Sequence, residues 1–167
     1  PDCEEFGSLE RLKNEKEVVG IYISAHPLDD FKKEIELFKT LELNFLKDLK
    51  PLLKKSFFVA GIVNSVEHLE AKNGNLWGKF VIEDFKDQYE FKIFGEEYLK
   101  FRHFLIEDQF VRVKILIRDG WINRETGKVG EPRIQFIKFE MLQNTIRDNS
   151  EKITLTIDVN KINNNLI

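Results

Sequence analysis

The chain has 167 residues, 42% of them hydrophobic and 15 of them phenylalanine, enough for one well-packed domain with appended segments. Its formal charge of −3 argues against tight, sequence-neutral binding of a polyanion by the chain as a whole, and its lone cysteine, Cys3, excludes an internal disulfide and fits a reducing, cytoplasmic setting. No stretch approaches the roughly 20 apolar residues that span a bilayer, so no membrane partner is expected. The acidic start Pro1-Asp-Cys-Glu-Glu is no signal peptide, and its lack of Met is expected of a piece of a longer protein.

Charge is spread unevenly: −4 over residues 1–50, +1 over 51–145 and zero over 146–167. The first of these segments reads as helical. Ser8 is the expected N-cap of a helix over Leu9–Val18, and Gly20 its C-cap. After a short extended run (Ile21, Tyr22, Ile23), a second helix is expected to start at Pro27, with Asp29 and Asp30 favourably placed in its first turn. Leu28, Phe31, Ile35 and Phe38 recur at helical spacing and predict a buried stripe. A short third helix over Leu43–Leu49 stops before Pro51. Residues 1–52 are thus expected to form a helical adaptor.

From Ser56 the hydrophobic period changes to two. A first strand over Phe57–Leu69 contains Gly61, a predicted bulge or bend. Lys72-Asn73-Gly74 predicts a hairpin of type I′. The second strand, Asn75–Asp84, places Leu76, Gly78, Phe80 and Ile82 on one face and Trp77, Lys79 and Val81 on the other. A tight connection at Lys86-Asp87 leads to a third strand, Gln88–Phe94, with Tyr89, Phe91 and Ile93 inside and Glu90, Lys92 and Phe94 outside. Asp87 is expected to take a left-handed conformation there.

A helix over Glu96–Leu105 follows, burying Tyr98, Phe101 and Leu105. Strand four, Phe110–Arg118, alternates Val111, Val113, Ile115 and Ile117 with Arg112, Lys114 and Arg118. The polar loop Asn123–Lys128 separates it from strand five, Arg133–Leu142. Three strands, a helix and two strands within residues 53–145 predict a mostly β fold: a five-stranded OB-fold barrel with a helix between strands three and four. Residues 146–167 are expected to be a linker and the first strand, Ile153–Val159, of a further domain cut short.

Glu15-Lys-Glu-Val-Val-Gly-Ile-Tyr-Ile-Ser-Ala-His-Pro-Leu28 resembles a signature of the alpha subunits of bacterial DNA polymerase III, E-x-E-x-x-G-x-Y-x-S-G-H-P-L. Ala25 stands where that pattern has Gly, so its φ is expected to be negative. The resemblance covers about residues 9–142. It implies a non-catalytic part of a DNA-directed DNA polymerase in which an OB-fold barrel holds single-stranded template. It also implies the remainder of the polymerase chain as a partner, with the clamp-loader subunit tau and the sliding clamp as holoenzyme partners.

The residues themselves offer no catalytic set, no metal site and no cofactor motif. Glu83-Asp84 and Glu96-Glu97 are adjacent pairs, which on a strand point to opposite faces. His26, His68 and His103 lack ligand spacing, and His26 is expected to cap or orient the segment begun at Pro27. Single-stranded nucleic acid needs rings for base stacking interleaved with cations for phosphates. Trp77, Lys79, Lys92 and Phe94 supply that mixture on the outer side of strands two and three. Lys72, Asn73 and Asn75 lie at the loop between strands one and two. Arg118, Trp121, Arg124 and Lys128 lie at the loop between strands four and five. With a near-neutral barrel, DNA binding by the isolated chain is expected to be weak. The competing expectation is a docking module that positions a following domain, with Trp77 or Phe94 packed against the N-terminal helices.

Overall fold

The computed structural model describes residues 7–122 and 127–149. Five antiparallel strands, β1 (Ser56–Glu70), β2 (Leu76–Glu83), β3 (Gln88–Phe94), β4 (Phe110–Arg118) and β5 (Arg133–Met141), form one sheet of order β3-β2-β1-β4-β5. That order, with α3 (Gly95–Phe101) between β3 and β4, is OB-like. The sheet does not close: β3 and β5 curl toward one another without pairing.

β1 is the spine. Its first half, Ser56–Ile62, pairs with β4, and its second half, Ile62–Glu70, pairs with β2. The bulge falls between Val63 and Ser65, where the strand passes from one partner to the other, rather than at Gly61. Gly61 has a different use: a Cβ there would overlap the carbonyl oxygen of Glu83. Val59 and Val63 point into the barrel, while Ala60 and Ile62 point outward yet are equally buried. This two-sided burial arises because the N-terminal section lies on the outer face of β1 and β4.

That section contains α1 (Ser8–Val19) and α2 (Lys32–Phe38), and α4 (Leu142–Asn149) follows β5. Leu28, Ile35 and Leu142 pack with Ala60 and Ile62, bordered by Phe31 and Phe110. Gly7 rather than Ser8 is the N-cap of α1, while Gly20 closes it at φ +87°. The Gly20–Ser24 return is held against α1 by Glu15, whose carboxylate accepts the backbone N–H groups of Ile23 (3.2 Å) and Ser24 (3.0 Å) and the Ser24 hydroxyl. Those bonds hold the Glu15 carboxyl below its ordinary pKa. Ala25 keeps a negative φ. His26 Nδ1 accepts the N–H of Leu28 (3.1 Å) and its ring lies between Tyr22 and Phe85.

Three helices are shorter than their patterns predicted, and the one expected over Glu96–Leu105 is α-helical only to Phe101 and 3₁₀ over Arg102–Phe104. The segment after Pro27 begins as a 3₁₀ turn at Asp29–Phe31 and becomes α-helical only at Lys32, and Leu43–Lys47 is entirely 3₁₀. The latter still drives Leu43 and Leu46 into the barrel core beside Phe80, Phe91, Phe136 and Phe139. Asp84, 2% exposed, anchors this turn by accepting the N–H of Leu43 (3.1 Å), with Lys39 3.7 Å away. The same carboxylate accepts the N–H groups of Lys86 (2.8 Å) and Asp87 (3.0 Å). This side-chain-capped turn removes any need for a left-handed residue, and Asp87 has negative φ. The β1–β2 hairpin also differs from expectation. Ala71 accepts from Gly74, Asn73 stays at negative φ and Gly74 takes φ +78°, which is a type I turn with a glycine bulge rather than type I′.

Strand alternation inside the barrel follows the sequence pattern. Gly78, Phe80, Ile82, Phe91, Ile93 and the four aliphatic residues of β4 are buried, while Leu76 at the start of β2 is exposed. Arg112, on the other side of β4, is buried as well. It is ion-paired to Glu140 (3.0 Å), donates to the carbonyl of Phe38 (3.1 Å) and lies 3.6 Å from the Phe58 ring centroid. The guanidinium therefore ties the end of α2 to β4 and β5. Residues 142–149, expected to be the last strand residue and a polar connector, form α4, with Thr145 buried. Ile153–Val159 lies outside the described residues.

Candidate nucleic-acid interface

The open seam between β3 and β5 forms a groove of about 690 Å³. Phe94, Lys92 and Glu90 line it from β3, Glu96 and Glu97 from the start of α3, and Trp121, Arg133 and Gln135 from the β4–β5 side. These residues meet because β3 ends directly at Gly95, which turns the chain at φ +55° into α3, while β5 begins at Arg133 after the long loop.

Three expected ligand residues, Lys92, Phe94 and Trp121, share this groove. Phe94 is 58% exposed and Trp121 76% exposed. Trp77, half-buried, sits opposite Phe94 in the β2–β3 register, and the two rings stack at 5.3 Å with 17° between planes. Neither ring belongs to the cluster under the N-terminal helices, which pack on the β1 and β4 side. Trp77 thus backs Phe94 and stiffens it as a platform.

The cations divide into two groups. Lys79 stands beside Lys92 in register but is held by Glu67 (2.6 Å), with Glu90 3.8 Å away. Those carboxylates raise its pKa, the hydrogen bond that Lys79 donates to Glu67 most of all. Lys92 is exposed, and its ion-pair contact among the described residues is to Glu90 at 3.7 Å. Arg118 is exposed at the end of β4, opposite Arg133 in register, and both border a smaller depression with Lys54. Lys128 is exposed, one residue before the Ile122–Val129 bridge. Lys72, Asn73 and Asn75 are exposed at the β1–β2 hairpin tip, where Asn73 Oδ1 accepts the N–H of Asn75 (3.2 Å). Arg124 lies outside the described residues.

Arg133 escaped the sequence reading. Its guanidinium sits 4.3 Å over the Trp121 ring, a cation–π contact that presents ring and charge together. The signal was present in the strand pattern, since pairing Phe110–Arg118 with the strand that starts at Arg133 brings the two arginines opposite each other. Glu97 and Gln135 were also missed. Glu97 Oε2 accepts the N–H of Phe136 (3.0 Å) across the seam, a contact no local pattern predicts. Among the described residues no group of His, Cys, Asp and Glu side chains could hold a metal ion, and no helix is long and apolar enough to cross a membrane.

Known proteins were compared with the chain. No protein-family model matches it. It is 34% identical over 155 residues to the DNA polymerase III subunit alpha of Borreliella burgdorferi, covering 86% of this chain and 13% of that protein. It is 27% identical over 127 residues to the protein of the same name from Saccharopolyspora erythraea, covering 75% of this chain and 10% of the relative. The protein of that name from Buchnera aphidicola is 36% identical over 90 residues, 52% of this chain and 7% of its own length. The chain therefore spans about an eighth or less of the length of these relatives.

Proposed function

The chain belongs, as a short segment, to the bacterial DNA polymerase III alpha-subunit family, and from that premise we propose that it is a non-catalytic module that guides single-stranded template DNA during chromosome replication in the cytoplasm. The observation that carries this reading is the pair of exposed aromatic platforms, Phe94 backed by Trp77 and Trp121 topped by Arg133, on the two walls of one groove. Stacking on such rings is worth about 1–3 kcal/mol per base and is indifferent to sequence. Phosphate contacts from Lys92, Arg118 and Arg133, with Lys72, Arg124 and Lys128 on the flanking loops, would add a salt-sensitive component. Asn73 and Asn75 would add neutral contacts at the hairpin tip. Lys79, already neutralised by Glu67, contributes little on this view.

Binding by the isolated chain is weak because the barrel is nearly neutral, and tethering to the rest of the polymerase raises the effective concentration of template. Residues 1–52 act as the adaptor that joins the barrel, 53–145, to the preceding part of that polymerase, and 146–167 lead to the next. The polymerase chain, tau and the clamp are the partners on this reading, and no cofactor is needed. A docking role with little DNA contact is favoured by one observation, the exposed Val18, Val19, Ile21 and Ile23 around Gly20.

Anisotropy of a labelled single-stranded oligonucleotide, titrated with the protein at low and moderate salt beside a duplex, separates the two. Single-strand preference that weakens with salt and falls about 5-fold or more in each of Phe94→Ala and Trp121→Ala, with Lys79→Ala nearly unchanged, supports template handling. Absence of binding at low salt, or binding by both ring variants as tight as by the unmodified protein, supports docking instead.

A further inference from the structure

Three cations meet where β4 ends and β5 begins. A depression of about 380 Å³ there is lined by Lys54, Arg118 and Arg133, by one carboxylate, Asp119, and by Leu116 and Ile117. Residues 51–145 carry a net charge of only +1, so this is a local excess of positive charge. Arg118 and Arg133 stand opposite each other in the β4–β5 register, a placement that like charges disfavour. Lys54 is brought beside them by the backbone: its N–H donates to the Ile117 carbonyl (2.8 Å), and the Ile117 N–H donates in turn to the Lys55 carbonyl (3.1 Å). Lys54 holds φ +60°, the left-handed region that glycine enters without a Cβ penalty.

Repulsion and strain thus fall at one place, and little in the chain offsets them. Among the described residues Arg118 forms no ion pair, and Asp119 stands 3.8 Å from Lys54 with both side chains well exposed. Arg133 lies over the Trp121 ring and lines the β3–β5 groove as well as the depression. In a nucleotide the sugar separates base from phosphate, so a strand whose bases stack on Phe94 and Trp121 needs a cationic place beside the groove. The depression lies against that groove, with Arg133 common to both. Continuity with the rings favours a nucleic acid over an acidic protein segment, for which the rings have no use.

Resting on the single-strand reading above, we propose that this depression is a phosphate subsite, in which Lys54, Arg118 and Arg133 hold one phosphodiester of the strand stacked in the groove. Guanidinium groups suit phosphate oxygens because their N–H donors form a planar fork, and Lys54 adds a point charge. Asp119 opposes the phosphate and gives up its contact with Lys54 when the strand binds.

Anisotropy of a labelled single-stranded oligonucleotide, followed over a salt series, tests this. Lys54→Gly removes the charge and suits the left-handed backbone, so its urea midpoint is expected to hold or rise. Its binding is expected to weaken by roughly 2–5-fold, with the slope of log affinity against log salt shallower by about 0.7, the share of one phosphate on a single strand. Asp119→Asn is expected to bind tighter by roughly 2-fold or more. Lys86→Ala, at the β2–β3 turn and paired with Glu42 (2.8 Å), is expected to match the unmodified protein. An unchanged slope in Lys54→Gly, an equal loss in Lys86→Ala, or unchanged or weaker binding in Asp119→Asn overturns the phosphate subsite. Template handling still stands in that case if Phe94→Ala and Trp121→Ala weaken binding. Polyglutamate that competes as well as an unlabelled oligonucleotide of equal charge overturns the subsite in favour of an acidic protein segment. No binding of the oligonucleotide at low salt overturns both readings.

Discussion

Replacing Glu140 by Ala is expected to destabilise the protein by about 3–5 kcal/mol, the cost of leaving one member of a buried ion pair without its partner. The side chains of Arg112 and Glu140 are 6% and 8% exposed and 3.0 Å apart. Burial pushes the guanidinium pKa down and Glu140 opposes that shift. Without Glu140, the described contacts left to the charge are the Phe38 carbonyl and the Phe58 and Phe38 rings. Arg112→Met is milder, at about 1–3 kcal/mol, because Glu140 keeps Lys138 at 2.7 Å and the methionine retains packing against Phe58. The double replacement Arg112→Met/Glu140→Leu is expected within about 2 kcal/mol of the unmodified protein, since it removes both charges together. Urea unfolding followed by circular dichroism gives the three values, and for a chain of this size Glu140→Ala lowers the melting temperature by roughly 6–20 °C. A loss below about 1 kcal/mol in Glu140→Ala, or a larger loss in Arg112→Met than in Glu140→Ala, would refute the ion-pair reasoning.

Two glycines and one histidine give further tests. Gly61→Ala forces a Cβ onto the Glu83 carbonyl and within 2.7 Å of Ile82 Cγ2, so a loss at or above about 3 kcal/mol is expected. Gly74→Ala has only Glu70 nearby, at 3.9 Å, and is expected to cost about 1–2 kcal/mol for its positive φ; urea midpoints in the reverse order would count against both assignments. Burial holds the His26 pKa below its ordinary value of 6.5, so the unfolded chain takes up this proton first as pH falls. The His26 contribution to stability is therefore constant above about pH 6.5 and declines below it. Melting temperatures at pH 7, 6 and 5 should show a drop that His26→Gln reduces, and an identical drop in the variant would remove His26 as its source.

Much of the barrel was legible because its interior obeys strict alternation. Val111, Val113, Ile115 and Ile117 are all fully buried, and Tyr98 and Phe101 of α3 are buried as predicted, with Leu105 buried just after the 3₁₀ turn that follows α3. Alternation misled at Arg112, because the opposite face of β4 is covered by the N-terminal section, and nothing local to Phe110–Arg118 signals a cover from 70 residues away. Turn chemistry misled where a side chain replaced a backbone device: Asp84 caps the β2–β3 connection that was expected to strain Asp87. At the groove, aromatic and basic residues could be placed on a face by period two alone. Which cations are spent on neighbouring carboxylates could not, because the Lys79–Glu67 contact depends on the β1–β2 register.

The unpaired seam has a mechanical consequence. Widening the groove between β3 and β5 breaks no rung of the sheet ladder, because none joins those strands. Side chains resist instead: the Phe91–Phe136 and Phe80–Phe136 ring contacts at 5.8 and 5.7 Å, the packing of Phe101 and Phe104 on Phe139, and the Glu97 bond to Phe136 N–H. The barrel is therefore stiff along β1, where both halves share a strand, and compliant across its mouth. On the template-handling proposal, the seam would admit a pyrimidine or a purine while the β1 spine stays fixed.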